Sequence, residues 1–399
     1  MTELKTIAVI GANFGDEGKG MAVDYFCNNV RECLVIRHNG GAQAGHTVEY
    51  NSRRFVFHQL SSGSMRHADT FLAETFLPDL FKLQEEAEDF RSFAGFLPKI
   101  YADRNSHITV IDDVILNMAL ESSRGSARHG SCGMGINEAV LRSEAGFGLS
   151  VGRVLGMTSG ELAAELSRIR REYVMPRAES LGLTSANEYG ELLRNNNVLR
   201  NAAEGMLSGA EYLIPAESLR KLAESKERVV FEGAQGLLLD SENIRYAPHL
   251  TSSRTGLHNP MKICADAGIR LDMAVYVMRS YVTKHGAGPM PFECDKTALG
   301  NIDKDLTNIE NRWQGRIRYG YYVSPAELAA SVNGDAGSFQ GEKALFITHL
   351  NETGGMIRFR GLDISALQLP YEPAFGHSIS RLYCSHTRRS DDTNEYDVK

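Results

Sequence analysis

Residues 5–11, KTIAVIG, form a short, β-branched apolar run that stops at glycine. A run without polar alternation reads as a strand buried on both faces, the kind found in parallel sheets covered by helices. The turn Gly11–Gly20 (GANFGDEGKG) follows, and a helix is predicted from Met21 to about Asn29. A second buried strand at 33–37 (CLVIR) then runs into another glycine turn, Asn39–Thr47 (NGGAQAGHT). This strand–turn–helix–strand start constrains the chain more than any other feature. It predicts an α/β fold with a large, mostly parallel central sheet flanked by helices.

Further along, 77–90 is predicted as an amphipathic helix, and 107–111 (HITVI) as a strand. Strands are also predicted at 229–232, 272–278 and 344–348. The polar stretch at about 160–228, with Leu and Ala at helical spacing, reads as a helical excursion from one domain covering 1–384. Residues 385–399 read as a polar C-terminal tail, frayed or lying on the surface as an arm.

Composition removes several functional classes. A hydrophobic share of 42% and a charged share of 23% are globular values and exclude disorder. A net charge of −7 argues against a broad nucleic-acid-binding surface and leaves local phosphate pockets open. No apolar run approaches the roughly 20 residues of a membrane span, and the N-terminus lacks the long apolar core of a signal peptide. The six cysteines show no CxxC spacing, so they are read as reduced thiols in a cytoplasmic protein without a zinc site.

The first glycine turn has the makings of a phosphate cradle. Glycines let backbone N–H groups approach an anion, the helix N-terminus adds partial positive charge, and Lys19 adds a full one. It is not a Walker A loop: Asn13 stands where that pattern needs glycine, and Gly20 stands where it needs Ser or Thr. Asp16 and Glu17 would repel phosphate unless Mg²⁺ lies between or one of them accepts a proton. His46, in the second glycine turn, is placed to act as an acid or to stabilise charge. The histidines His58, His67, His107 and His129 read as surface or satisfied core residues.

GDEGKG, GGAQAGHT, EGAQG (232–236), Pro248–Ser253 (PHLTSS) and Tyr281–Pro289 (YVTKHGAGP) occur in this order. Together they resemble the adenylosuccinate synthetase family from residue 7 to about 320. The resemblance implies a ligase that joins L-aspartate to C6 of a 6-oxopurine nucleoside monophosphate, driven by ATP or GTP with Mg²⁺. The γ-phosphate goes first to O6, and the aspartate amine then displaces it. By matching position, Asp16 is the base at N1 and a Mg²⁺ ligand, and the Gly45 carbonyl is a second ligand. His46 acts at O6 and the moving phosphate, Lys19 neutralises phosphate, and Gln235 positions the purine. Asn13, Gly15, Glu17, Gly18, Gly20, Gln43 and Thr47 belong to the nucleotide-binding turns. Ser131, Cys132 and Thr251 match the 5′-phosphate contacts, and Arg142 matches an arginine donated across a homodimer interface. Trp313, Gln314, Arg316 and Arg318 match the aspartate loop, with Arg316 also toward the nucleotide. Two arginines in such a loop grip carboxylates in bidentate fashion. The lone Trp313 stacks on substrate or simply shields the site.

The chain departs from the family pattern at four places. The 5′-phosphate loop is Gly130–Gly135 (GSCGMG), with a Ser–Cys pair for two threonines and Met134 for a basic residue. Gln43 replaces an asparagine, and Trp313 and Gln314 replace threonines. The guanine-reading T-K-x-D becomes Thr348–Asn351 (THLN). A carboxylate accepts two hydrogen bonds from guanine, whereas an asparagine amide offers one acceptor and one donor group. The expected donor is therefore ATP, or one poorly discriminated. This divergence is similar to the phage branch of the family, which acts on GMP or dGMP to make the 2-amino analogue. That branch often carries Ser where this chain keeps Asp16, so IMP and GMP/dGMP both stay open. The competing class is a GTPase-like nucleotide-binding or regulatory module without ligase activity. It leaves EGAQG and the paired arginines without a role.

Overall fold

The computed structural model describes residues 5–125, 130–183, 188–303, 314–371, 375 and 379–398. The first half supplies β1 (Thr6–Gly11), β2 (Cys33–Arg37), β3 (His46–Tyr50), β4 (Arg53–Phe57), β5 (Asp69–Leu72) and β6 (Ile100–Ala102). Then come β7 (Leu213–Pro215), β8 (Arg228–Gly236), β9 (Met273–Arg279), β10 (Val282–Lys284), β11 (Glu293–Cys294) and β12 (Arg318–Gly320). The last are β13 (Glu342–Thr348), β14 (Met356–Phe359), β15 (Leu362–Ser365), β16 (Arg381–Ser385) and β17 (Thr393–Asp397).

Ten of these form one sheet in the order β17-β16-β13-β9-β1-β8-β2-β5-β6-β7. Every neighbouring pair is parallel except β16–β17. β1 is buried at every residue, as its unbroken apolar run requires. On one face, Val9, Val35, Val230, Val275 and Phe346 pack with Met21, Ala22 and Phe26 of α1 (Lys19–Cys27). On the other, Ile10, Ile36, Phe231, Tyr276 and Ile347 belong to a second core cluster. In a parallel sheet the loops leaving the carboxyl ends of the central strands share one edge, which is where such folds place ligands. Here those loops follow β1, β2, β8, β9 and β13.

α2 (Leu80–Ala94) begins at Asp79, whose carboxylate accepts the Lys82 N–H, and ends at Gly95 with φ 84°. The run 107–111 is not a strand. His107 makes a single bridge to Ser150, and Ile111 already opens α3 (Ile111–Ser123). The acids after the run decide this: Asp113 accepts the Val110 N–H at 2.9 Å and caps a helix start. α4 (Ile136–Arg142) follows.

α5 (Val151–Val154) comes next, and the excursion then holds α6 (Ser159–Ile169), α7 (Met175–Ser180), α8 (Glu188–Arg194), α9 (Asn196–Ala210) and α10 (Leu219–Glu224). It also returns β7 to the sheet edge. α11 (His258–Ala267) and α12 (Pro325–Asp335) contribute Cys264, Leu328 and Val332 to the second core cluster. The C-terminal residues 393–397 are no frayed arm: they form β17, antiparallel to β16. Glu395 of β17 pairs with Arg381 across the ladder, and charge of this kind blunts a sheet edge. Among the described residues, no helix is long and apolar enough to cross a membrane.

Candidate active site

The turn after β1 is folded around its own acid. The Glu17 carboxylate accepts the N–H groups of Asn13 at 2.9 Å and Gly15 at 2.7 Å. Lys19 donates to the other Glu17 oxygen at 2.9 Å and to the Gly15 carbonyl at 2.5 Å. Glu17 and Lys19 are both buried, so Glu17 shapes the turn from within and is not a surface ligand. Asp16 points outward, with its side chain 23% exposed and 3.7 Å from His285 Nε2. Gly18, at φ 93°, supplies the left-handed residue that starts α1. Gly20 is needed for another reason: a Cβ there would come within 3.0 Å of both His46 and Ser62. The missing side chain lets the first turn of α1 lie against His46.

His46 opens β3 and is nearly buried. Its Nδ1 lies 2.6 Å from Glu232, the first residue of EGAQG. Glu232 also accepts the Ser62 N–H at 3.0 Å and the Ser62 hydroxyl, with Arg37 Nε at 3.9 Å. Burial alone would raise the Glu232 pKa, but His46, Arg37 and Ser62 together hold it at about 2. For His46, burial outweighs Glu232 and lowers the pKa, so the ring is neutral near pH 7. With Glu232 as acceptor, Nδ1 carries the proton and Nε2 is left for a ligand. Sequence reasoning assigned Gln235 from this motif and missed Glu232. The signal was a carboxylate ending an apolar strand.

Asp16, Gly45, His46 and Thr47 line one cleft, together with Gly15, Gly18, Lys19, Gly20 and His349. Gln43 and Gln235 lie close by, on the adjoining turns. Both amide atoms of Gln43, and Oε1 of Gln235, are buried without hydrogen-bond partners. Gln235 also holds φ at 62°, a conformation that a non-glycine residue rarely adopts. Asn39 joins the turns: its amide donates to the Ala234 carbonyl at 3.0 Å and accepts the Ala234 N–H at 2.7 Å. Arg279, also unforeseen, and Tyr281, which opens the YVTKHGAGP motif, line the cleft. Arg279 donates to the Asp16 carbonyl and, at 3.1 Å, to the Tyr281 hydroxyl, which in turn donates to Glu352.

The 5′-phosphate candidates gather beside this cleft. Ser131 accepts from Asn117 at 2.9 Å, and Cys132 is half-buried in the same loop. A Cβ on Gly130 would lie 2.6 Å from the Ala287 nitrogen, so this loop abuts the turn that begins at His285. Ser252, next to Thr251, donates to Asn137 at 2.5 Å and ties the PHLTSS segment to the start of α4.

Arg142 does not join them. It is fully buried, and its donors are spent on Asp113 (2.9 Å, twice), the Phe147 carbonyl (2.7 Å) and the Ile108 carbonyl (2.8 Å). Such a guanidinium, fully buried and with four of its five N–H donors engaged within its own chain, is an internal strut.

Trp313 lies outside the described residues. Gln314 is half-buried and Arg316 exposed. Arg318 is held by an internal carboxylate: Glu293 accepts at 2.9 and 2.5 Å, while the Gly286 and Gly288 carbonyls take its third nitrogen. Beside it, burial and the Arg318 charge push the Lys284 pKa down to about 8. In the donor-base segment, His349 faces the cleft, with Nδ1 2.7 Å from the Thr348 hydroxyl, whereas Asn351 is exposed and outside it.

For Mg²⁺, the chemistry of the site fits. Asp16 offers a partly exposed carboxylate and Gly45 an exposed backbone, both on the one cleft, and Mg²⁺ takes such hard oxygen donors. Among the described residues there is no cluster of three His, Cys, Asp or Glu side chains that would cage a metal. That suits an ion that draws its remaining ligands from phosphate and water.

The family model "Adenylosuccinate synthetase" matches residues 8–334. The adenylosuccinate synthetase of Thermoplasma acidophilum is 30% identical over 306 residues, covering 76% of this chain and 66% of that protein. That of Bdellovibrio bacteriovorus is 29% identical over 313 residues, covering 75% and 68%. The matched stretch thus spans about two thirds of these relatives' length. Among solved structures, fully ligated adenylosuccinate synthetase from Plasmodium falciparum superposes with a TM-score of 0.65 at 18% identity, covering 98% of this chain and 88% of that one. Cyanophage S-2L succinoaminodeoxyadenylate synthetase, bound to dGMP and dATP as an energy donor, gives 0.60 at 14%, covering 98% and 95%. These two show a shared fold. Since the family match takes in the turns that carry Asp16, His46 and Gln235, the chain belongs to the adenylosuccinate synthetase family.

Proposed function

We propose that this protein joins L-aspartate to C6 of a 6-oxopurine nucleoside monophosphate at the expense of a nucleoside triphosphate. The observation that carries the reading is that Asp16 and His46, from two separate turns, line one cleft, with Glu232 behind His46.

The chemistry sets the roles. A 6-oxopurine is an amide, and its oxygen is a poor leaving group. Asp16 is the carboxylate free to take the N1 proton, which makes O6 nucleophilic toward the γ-phosphate. His46 supplies Nε2 beside O6 and the transferring phosphate. Burial keeps the imidazole neutral, and an arriving anion, with Glu232 behind, favours its cation. Once O6 carries phosphate, the aspartate amine displaces it, and phosphate leaves with the oxygen. Arg316 and Arg318 are the carboxylate-gripping candidates, and Arg318 must first exchange Glu293 for aspartate. Asp16 and the Gly45 carbonyl would hold Mg²⁺, which supplies charge neutralisation of the donor phosphates when bound. Ser131, Cys132 and Thr251 are assigned to the 5′-phosphate, and Gln43 and Gln235, with unpartnered amide atoms, to the purine.

Two finer assignments belong to this proposal. His349 and Asn351 stand where a lysine and a carboxylate would read guanine, so the donor is ATP or is weakly selected. The phage enzyme with the same fold, seen with dGMP and dATP, supports a comparable pairing here, and IMP remains the other acceptor. The test is a panel of IMP, dIMP, GMP and dGMP, each with ATP or GTP and aspartate, with products weighed by mass spectrometry. Phosphate release that needs all three substrates, and vanishes in Asp16→Ala, is the expected result. Release with triphosphate alone would return the GTPase reading, and strict dependence on GTP would overturn the donor assignment.

A further inference from the structure

A cavity of about 560 Å³ lies away from the catalytic cleft, behind the β3–β4 hairpin. Its volume falls within the size range of small-ligand pockets. Its wall carries Arg31, Arg53, Arg66 and His67 and not one Asp or Glu. Arg66 is committed to Asp24 at 3.0 Å and Asp391 at 2.6 Å. Arg31 and Arg53, unlike Arg66 on the same wall, make no ion pair among the described residues. Arg53 donates only to the Phe93 carbonyl.

The same wall is layered with rings. Arg53 lies 3.9 Å from the centroid of Phe93 and Arg66 4.3 Å from that of Tyr50. His67 stacks on Phe96 at 3.9 Å and 22°. Three amides, Asn28, Asn29 and Asn51, complete the lining, and each offers both a donor and an acceptor. Two of them, Asn29 (φ 56°) and Asn51 (φ 50°), hold left-handed backbone.

We propose that this cavity is a second nucleotide site. Guanidinium groups without carboxylate partners call for a phosphate, stacked aromatic walls for a planar base, and amides for the base's polar edge. The position also bears on catalysis. Tyr50 ends the strand that begins with His46, and Cys27 ends the helix that begins with Lys19. A ligand here rests on the far ends of the two elements that build the catalytic cleft.

The proposal does not depend on the ligation reaction, because its test is binding. AMP is titrated calorimetrically into the full chain, and the number bound per chain is compared with that of Arg31→Ala/Arg53→Ala. A second variant, Val30→Trp, puts a bulky ring into the cavity and keeps both arginines. Each variant is expected to bind one AMP fewer per chain, or that one at least 10-fold more weakly, with its melting transition intact. Adenosine alone and inorganic phosphate alone should each compete at least 10-fold less well for that site. An unchanged AMP isotherm in both variants overturns the proposal, as does equal competition by inorganic phosphate, which would make this an anion site without base recognition.

Discussion

Glu232 does more than fix a tautomer. It is a buried carboxylate 2.6 Å from an imidazole that, in the proposed ligation, must gain positive character when phosphate moves. Its charge is assured, since Arg37 and Ser62 help to hold its pKa at about 2. Replacing it with glutamine keeps an acceptor for Nδ1–H and removes the charge. Glu232→Gln is therefore expected to lower kcat by about 10²-fold, with KM for the monophosphate changed little, as for a lost charge stabiliser. Arg37 keeps its bonds to the His58 and Leu60 carbonyls, so the fold should survive, and a melting curve checks that. Steady-state kinetics with kcat within twofold of wild type would remove Glu232 from the mechanism.

At the scale of elements, Arg142 separates two readings of one residue. Matched by position, it is a nucleotide-binding arginine donated across a dimer interface; in the structure it locks the end of α4 to Asp113 at the start of α3. Removing one partner of a buried pair leaves an uncompensated charge, so Arg142→Ala is expected to cost about 3–5 kcal/mol in chemical denaturation. A loss below 1 kcal/mol together with a raised KM for the monophosphate would restore the positional reading. The example shows what the sequence makes legible. The central strands, α1 and the three glycine turns could be read because local chemistry dictates them: unbroken apolar runs, then glycines where the backbone must turn left-handed or approach closely. Arg142 could not, because its role depends on carbonyls at Ile108 and Phe147 that only the tertiary fold brings to it. The run HITVI failed for a related reason: apolar content marks burial, and the cap at Asp113 decides helix over strand. The edge strand β17 was hidden by its polarity, which is what an exposed edge needs.

For the molecule as a whole, the most telling property is its response to acid. His38 is fully buried beside Phe231, and neither ring nitrogen has a hydrogen-bond partner. Burial, with the charge of Arg37 nearby, pushes its pKa down to about 3. The unfolded chain takes up this proton near pH 6.5, while the native state refuses it until about pH 3. Between those values the unfolded state binds more protons, so stability rises with pH there. The contribution is fully present above about pH 6.5 and is lost as the pH falls, by roughly 2–3 kcal/mol at pH 4.5. Glu232 acts in the same direction lower down, losing its contribution as the pH falls through its unfolded value of 4.5 toward about 2. Buried carboxylates whose pKa is raised, such as Asp113 and Glu86, oppose this trend, so the net curve alone cannot isolate His38. A difference between two proteins can. His38→Phe keeps a ring of similar size against Phe231 and leaves the His38 backbone carbonyl to Thr75 and Asn259, which it already serves. Urea denaturation of both proteins at pH 7.0 and 4.5 should show the variant losing about 2–3 kcal/mol less than wild type over that interval. Equal losses in the two proteins would mean that the buried ring finds a way to accept its proton in the native state.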